Sequence, residues 1–407
     1  MRFFLLLCFT LVLAGCTLVA PPPAPVGINE TWVQTTQQSP AAWIKGTDRW
    51  FLTGQPNQTE LADREAGNRI TQMPVSTFNT IQVRGFFQTQ IIATDVPTVY
   101  ILGPLAALRA IAVHVMGNTL YLRQVRPVSP TLMSQVIVRV GAPALQKLTQ
   151  CGPGLIEARL TNTPLDVVSL GRGNMYLAGK VNLQHVLLGN WGCITAVGVN
   201  THYLDIMSDG WGTINLAGHV GLHTLTHKGQ GNVNIMGVTC MHPVHIDTRC
   251  IGRINLSGQV LNPHVIARDE TCVFICGVAG TKVDASAQDK AVIGMSGYSE
   301  VLMANTSQTA QFLGSYLCVR DAYLRTHDAS HMNVSASHQV FAEANQDSTI
   351  YFYGPRYLIT GLGSHSGAIL ALGMRNMCNV NAEYRPYAYT LMRLPAPHIV
   401  PRNYKDE

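Results

Sequence analysis

The nine residues GWGTINLAG at Gly210–Gly218 recur in the next segment of the chain as GQGNVNIMG at Gly229–Gly237. Further copies are GRGNMYLAG at Gly171–Gly179 and CIGRINLSG at Cys250–Gly258, and looser copies bring the total to eleven, about 20 residues apart. Apolar residues alternate inside each copy, which is typical of stacked β-rungs. The sequence predicts an all-β, right-handed parallel β-solenoid (β-helix) with rungs of about 20 residues, its hand following the rule for parallel crossovers.

The composition argues against a nucleic-acid partner. The chain has 407 residues, of which 47% are hydrophobic and 13% charged, with a formal net charge of +5. This is a weak charge for the length, and no run of Lys or Arg forms a basic patch. Thirty-six glycines suit a chain that bends sharply in every rung.

The first residues resemble a bacterial lipoprotein leader. The apolar run from Phe3 to Ala14 follows Arg2 and is too short to span a membrane as a helix, so residues 1–15 are predicted to be a signal peptide. The run ends in Leu13-Ala14-Gly15-Cys16, which resembles the lipobox whose cysteine carries diacylglycerol. Lipidation at Cys16 is therefore predicted, and Thr17 in place of Asp resembles the outer-membrane sorting pattern. The alternative is an ordinary secretory leader with an incidental cysteine.

Four segments are predicted along the chain. After the leader, residues 16–74 form a lipidated, Pro-rich tether and an N-terminal cap, in which a short helix begins near Asn57. Residues 75–382 form the solenoid. Residues 383–407, with four prolines, form a capping tail. Caps are expected because the end rungs of a solenoid expose unpaired strand edges.

The strands before the clear repeat carry a family resemblance. Their order resembles that of the putative auto-transporter adhesin, head GIN domain family, over roughly Phe78 to Gly258. The matching positions are Phe78, Ile81, Val83, Gly85, Gly117, Leu120, Leu122, Pro143, Leu145 and Leu148. The chain departs from the family in having Cys151-Gly152-Pro153-Gly154 where Ser-Gly is usual, and in having more rungs. The resemblance implies a right-handed parallel β-solenoid in the bacterial envelope with an adhesin-like role.

Aligning the rungs on their glycines predicts a column of histidines at one phase, about 4.8 Å apart. Its members are His185, His202, His223, His242 and His264. Neighbouring imidazoles can share Zn²⁺ or Cu²⁺ or respond to pH, so this column is the candidate metal site. The alternative is structural: histidines that stack on one another and arose by repeat duplication. No cofactor is expected.

Most cysteines are predicted to be free thiols, because cysteines at one phase lie several rungs apart. Cys240–Cys250 is the one plausible disulfide. Near the last rungs, Tyr351 and Tyr353 are predicted to face one side and Phe352 the other, as a possible contact strip for glycans or partners.

The function predicted from these features is noncatalytic. The chain is expected to be an outer-membrane lipoprotein, anchored through Cys16, that acts as an adhesin-like binding scaffold or as a structural subunit of an envelope or secretion assembly. Its partners would be envelope proteins or polysaccharide. The alternative is a carbohydrate-active β-helix enzyme, which would require two or three carboxylates converging in one groove.

Overall fold

The computed structural model describes residues 68–372, and they form a parallel β-solenoid. Of these residues, 66% lie in strands and 4% in helices, in about twelve turns with rungs about 19 residues long. The predicted fold class is confirmed. The eleven rungs counted from the repeat fall short by about one turn, because the first turns lack the glycine-ended phrase.

Twenty-six strands and two four-residue helices make up the described chain. The first strands are β1 (Asn68–Met73), β2 (Thr80–Arg84), β3 (Gln88–Ala93), β4 (Thr98–Pro104), β5 (Ile111–Met116), β6 (Thr119–Gln124), β7 (Ile137–Ala142), β8 (Lys147–Gln150), β9 (Ile156–Leu160), β10 (Pro164–Ser169), β11 (Met175–Gly179), β12 (Asn182–Leu188) and β13 (Cys193–Ser208). The others are β14 (Thr213–His227), β15 (Asn232–Thr239), β16 (His245–Thr248), β17 (Arg253–Leu261), β18 (His264–Ala267), β19 (Cys272–Ala279), β20 (Lys282–Ala287), β21 (Val292–Thr306), β22 (Gln311–Thr326), β23 (His331–Asn345), β24 (Thr349–Tyr353), β25 (Ile359–Ser364) and β26 (Ala368–Ala371). The helices are α1 (Leu105–Leu108) and α2 (Pro130–Met133), and a 3₁₀ turn covers Arg356–Leu358.

The strands stack into two parallel ladders. The first ladder contains β6, β2, β8, β10 and β12, and continues through β16, β18 and β20 to β25. The second contains β7, β3, β9 and β11, and continues through β15, β17 and β19 to β24 and β26. The long strands β13, β14, β21, β22 and β23 bend and contribute to both ladders. Each rung therefore supplies one strand segment to each ladder.

The first turns are not stacked in chain order. The chain enters at β2 and β3, steps back to place β6 and β7 on their outer side, and then returns to place β8 and β9 on their inner side. Antiparallel strands border this end: β4 pairs with β7, β1 with β4, and β5 with β6. The solenoid thus begins with an antiparallel border, which alternation along the sequence does not distinguish from further parallel rungs.

The core is a stack of aliphatic columns inside the rungs. In the first ladder, Val186, Ile206, Leu225, Ile246 and Val265 follow one another at the same inward position, and each is at most 2% exposed. Burying one such side chain contributes about 1.5–3 kcal/mol. Because side chains alternate across a strand, the residues between these positions face outward.

The corners between the first and second ladders are built in two ways. From Gly171 to Gly252 the corner reads Gly-x-Gly or a close variant. At these glycine corners the rungs stack backbone on backbone: a Cβ added at Gly212 would collide with the carbonyl oxygen of Gly192, and one at Gly231 with that of Gly212. Only glycine leaves room for this approach.

From residue 269 onward an Asp or Gln replaces the first corner glycine. These residues are Asp269, Asp289, Gln308, Asp328 and Gln346, all with φ between 58° and 63°. Each side chain accepts a hydrogen bond from the backbone N–H of the equivalent residue one rung earlier, for example from Cys250 to Asp269 at 2.8 Å and from Gln308 to Asp328 at 2.9 Å. The left-handed conformation of these Asp/Gln corners is thus accompanied by a continuous ladder of side-chain hydrogen bonds.

Asparagine side chains stack on the outer face of the second ladder. The amide of Asn234 donates to Asn215 at 2.9 Å, and that of Asn255 donates to Asn234 at 2.7 Å. Arg253 donates to the oxygen of Asn255 at 3.1 Å.

The predicted disulfide between Cys240 and Cys250 is wrong, since neither cysteine forms a disulfide, nor do the other five cysteines among residues 68–372. Cys240 lies in the interior, where its thiol contacts the carbonyl oxygen of Leu222 at 3.2 Å, and burial raises its pKa to about 11. Cys250 lies at a corner and is only partly buried. The leader, Cys16, the tether, the helix near Asn57 and the tail 383–407 lie outside the described residues. Neither described helix has the length or apolar character needed to cross a membrane.

Candidate functional site

The first outward position of the first ladder carries most of the chain's candidate chemistry. We call this series of residues the outer column. In rung order its members are Lys147, Asp166, His185, Asp205, Thr224, His245, His264, Asp284, Met303, Tyr323, Phe341 and Thr360. It therefore changes from charged and imidazole side chains to apolar and aromatic ones.

His185 lies between two carboxylates. Its Nδ1 is 2.8 Å from Oδ1 of Asp166 on one side, and its Nε2 is 3.9 Å from Oδ2 of Asp205 on the other. The His185 side chain is 66% exposed, so solvent screens both pairs and neither adds much stability.

A bulge brings His223 into the same column. Leu204 pairs with Leu222, but Asp205 pairs with Thr224, so both His223 and Thr224 lie opposite Asp205. Nδ1 of His223 is 3.0 Å from Oδ1 of Asp205, and the Thr224 hydroxyl donates to the same oxygen at 2.6 Å. Burial raises the pKa of Asp205, but the hydrogen bonds from Thr224 and His223 and the nearby imidazoles outweigh it, so the pKa lies below its usual value.

The Tyr203 ring holds His223 from the preceding rung. The two rings stack with centroids 4.2 Å apart and planes 25° apart, and the Tyr203 hydroxyl is 3.3 Å from Nε2 of His223. His223 is therefore fixed on both sides, through Nδ1 by a carboxylate and through its face by an aromatic ring.

Two more histidines continue the column. His245 and His264 lie directly opposite each other in the parallel register, with ring centroids 5.7 Å apart at 62°. His245 and His223 are 6.2 Å apart. Nδ1 of His264 is 3.5 Å from Oδ2 of Asp284. Three successive rungs thus present imidazoles.

The predicted histidine column is corrected in two members. His185, His223 and His264 belong to the outer column, whereas His202 precedes the bulge in β13 and His242 lies in the loop between β15 and β16. Counting from the rung glycine gave the wrong neighbours because the loop to the first ladder differs in length between rungs. His245, which is not among the five predicted histidines, is a true member. Within residues 68–372, no group of three or more His, Cys, Asp or Glu side chains could hold a metal ion. Metal binding by the predicted five therefore stays a prediction.

Apolar side chains occupy the far end of the outer column. Met303, Tyr323 and Phe341 are 39%, 45% and 40% exposed, and the rings of Tyr323 and Phe341 stack at 5.2 Å. The predicted alternation of the neighbouring aromatic strip is also present, with Phe352 buried and Tyr351 on the outer side of the second ladder. Alternation alone could not show that Tyr323 and Phe341 are neighbours, because they belong to different rungs.

Two tryptophans form a second exposed aromatic feature. Trp191 and Trp211 occupy equivalent places in adjacent glycine corners and stack at 4.8 Å and 14°. They are 55% and 52% exposed. The recurring tripeptides Asn-Trp-Gly and Gly-Trp-Gly are the sequence signal that identifies this pair.

One imidazole lies inside the solenoid. His227 is fully buried between Ser208 and Thr248 in the inward column, and neither ring nitrogen makes a hydrogen bond within the described chain. Burial lowers the pKa of His227, against smaller opposing contributions from backbone oxygens and Asp209. A Cβ at Gly252 would collide with this ring, so the glycine corner leaves room for the imidazole.

Comparison with known proteins finds a family model that matches part of this chain. Residues 77–260 match the family described as putative auto-transporter adhesin, head GIN domain. No curated protein matches the chain.

Several solved structures also match the chain. They include a putative adhesin from Bacteroides fragilis (11% identity, TM-score 0.23) and a putative lipid binding protein from Parabacteroides distasonis (12% identity, TM-score 0.25). A putative adhesin from Parabacteroides distasonis has 11% identity and a TM-score of 0.26. Each covers 75% of this chain and 97% of its own. The family resemblance read from the strands is confirmed by this match to the family model over residues 77–260.

Proposed function

We propose that this protein is a noncatalytic, adhesin-like binding scaffold of the bacterial outer membrane, anchored by a lipid on Cys16. The observation that carries the proposal is the outer column. It is an uninterrupted series of outward side chains along the first ladder, polar at one end and aromatic at the other. A rigid row of this kind suits an extended partner, such as an envelope protein or a polysaccharide chain, through many weak contacts. The match of residues 77–260 to a family of putative adhesins supports a surface role.

The aromatic end supplies the strongest contacts in this proposal. Aromatic side chains contribute most of the binding energy in many interfaces because they bury large areas at little entropic cost. Met303, Tyr323 and Phe341 are aligned on adjacent rungs. Arg325 and Glu343 lie two residues further along the same strands, at the next outward position. A partner with apolar patches bordered by polar groups fits this end.

Pull-down from solubilised envelopes tests the binding role. The full chain is expected to retain a specific partner or polysaccharide, and a Tyr323→Ser, Phe341→Ser variant to retain about tenfold less. Trp191→Ser, Trp211→Ser is the matched control, because it removes an exposed aromatic pair from a different surface. Equal retention by parent and column variant would refute the proposed surface.

Labelling with radioactive palmitate tests the anchor separately. Cys16→Ser is expected to abolish incorporation and to release the protein from the membrane fraction, whereas Cys8→Ser leaves both unchanged. Label that persists in the Cys16 variant would refute the anchor while leaving the binding role intact.

The alternative function is a carbohydrate-active enzyme. Asp166, Asp205 and Asp284 are the column carboxylates, and each contacts an imidazole. The scaffold proposal expects no release of reducing sugar from envelope polysaccharides. Release that Asp205→Asn abolishes would favour the enzyme.

A further inference from the structure

The middle of the outer column contains three imidazoles on consecutive rungs. His245 and His264 are register partners, with ring centroids 5.7 Å apart. Strand partners in a ladder are separated by about 4.8 Å, so two histidines at one position project from the same side at a spacing that one ion can bridge. His223 follows at 6.2 Å from His245.

Carboxylates orient the first and last of the three imidazoles, those of His223 and His264. Asp205 accepts from Nδ1 of His223 at 3.0 Å, and Asp284 lies 3.5 Å from Nδ1 of His264. An imidazole whose Nδ1–H faces a carboxylate has its lone pair on Nε2, and this pairing raises the basicity of that nitrogen. Metal-binding histidines in proteins show the same arrangement.

The contacts select one pair of the three. The Tyr203 hydroxyl lies 3.3 Å from Nε2 of His223, so that nitrogen already has a neighbour. The His264 side chain is 41% exposed, and His245 is exposed. Solvent ions can therefore reach both rings of the second pair.

We propose that His245 and His264 form a two-histidine chelate for a borderline divalent ion such as Zn²⁺, with Asp284 positioning His264. Two protein ligands leave the remaining positions to water, so a weak exchangeable site is expected rather than a structural one of four ligands. Imidazole nitrogen suits Zn²⁺ and Cu²⁺ better than it suits Mg²⁺ or Ca²⁺. This inference does not depend on the proposed scaffold function.

Calorimetric titration of the full chain with Zn²⁺ at pH 7.5 tests the chelate. Thiols are blocked beforehand, because free cysteines also bind zinc. We expect one site in the parent, a loss of affinity of at least tenfold in His245→Gln and in His264→Gln, and about tenfold weaker binding in Asp284→Asn. Affinity should also fall as the pH is lowered to about 5.5, since protons compete for the imidazoles.

The double variant His202→Gln, His242→Gln is the matched control. These two exposed histidines lie outside the outer column, and their loss is expected to leave zinc binding unchanged. Parent-like affinity in His245→Gln would overturn the proposal, as would an equal loss in the control. Circular dichroism of each variant shows whether the solenoid is intact. A folded His264→Gln variant that binds Zn²⁺ with the affinity of the parent would also overturn the proposal.

Discussion

The glycine corners and the Asp/Gln corners solve one problem differently. Each rung must turn at the same point above the rung before it. In the glycine corners the turn is achieved by removing side chains, so that backbone packs directly on backbone, as Gly212 does on Gly192. In the Asp/Gln corners side chains are kept and used: Asp289 adopts φ 62° and accepts the N–H of Asp269. Close contact stabilises one half of the solenoid and a hydrogen-bonded ladder the other.

The interior adjusts to this difference. Beside the last glycine corner the inward position carries His227. Beside the Asp/Gln corners the same position carries alanine at Ala267 and Ala287 and threonine at Thr306 and Thr326. The third residue of the corner also changes, from glycine at Gly252 to threonine at Thr271. At Gly252 the His227 ring fills the space that a corner side chain would occupy, as close packing of interiors requires.

The largest difference between the two corner types is expected when one methyl group is added to a glycine corner. Gly212→Ala places a Cβ against the carbonyl oxygen of Gly192, and we expect a loss of about 3 kcal/mol or more in the free energy of unfolding. Gly189→Ala is the control in the preceding corner, because its Cβ would meet the flexible end of Leu170 at 3.1 Å. It should cost less than about 1 kcal/mol. Chemical denaturation measures both, and equal losses would contradict the backbone-packing account.

The Asp/Gln corners can be dissected at Asp289. Asp289→Ala loses the hydrogen bond from Asp269 and leaves a Cβ in the left-handed region, so the expected loss in unfolding free energy is about 2 kcal/mol. Asp289→Asn keeps an acceptor and tolerates that conformation, and should cost about 0.5 kcal/mol. Asp289→Gly removes only the hydrogen bond and should fall between them. A glycine variant as stable as the parent would show that the ladder contributes nothing.

Acid is expected to weaken the glycine-cornered half through His227. Burial lowers the pKa of His227, so below about pH 6.5 the unfolded chain binds a proton that the folded chain excludes. Stability is therefore highest above this pH and falls as the pH decreases, by at most about 1.4 kcal/mol per pH unit. His227→Thr, which copies Thr248 of the next rung, should flatten this slope. Hydrogen exchange in β14 compared with β22 at pH 7.5 and 5.5 locates the effect, and an unchanged slope in the variant would exclude His227.

The smallest effect is expected at the junction of the two corner types. Cys250 has φ 93°, a conformation that costs a side chain about 1–2 kcal/mol, and it already donates its N–H to Asp269. Cys250→Asn should stabilise the protein by about 0.5 kcal/mol, because Asn tolerates positive φ. Cys276→Asn, in a regular strand, should give no gain. Thermal unfolding distinguishes the two, and destabilisation by Cys250→Asn would mean that the thiol has a role of its own.

Sequence reasoning recovered the repeat better than the site. Alternation identified the inward aliphatics and the strip around Phe352, because both depend on strand periodicity. The Asp/Gln ladder was missed although its signal was available: Asp269, Asp289 and Gln308 recur with the same period as the glycines. The out-of-order first turns left no such signal, since strands that pair with earlier or later neighbours have the same alternation.

That the chain stacks in parallel rungs with alternate side chains inside can be predicted from its residues alone, because both properties follow from local periodicity and a fixed repeat. Which outward residues are neighbours cannot be predicted in this way and is seen only in the folded structure. The loop between the ladders varies in length, and bulges before Asp166 and Asp205 shift the register. Burial of the inward side chains fixes the register, and the outward side chains take the positions that result. For this reason His245 faces His264, while His202 and His242 do not belong to the column that counting predicts.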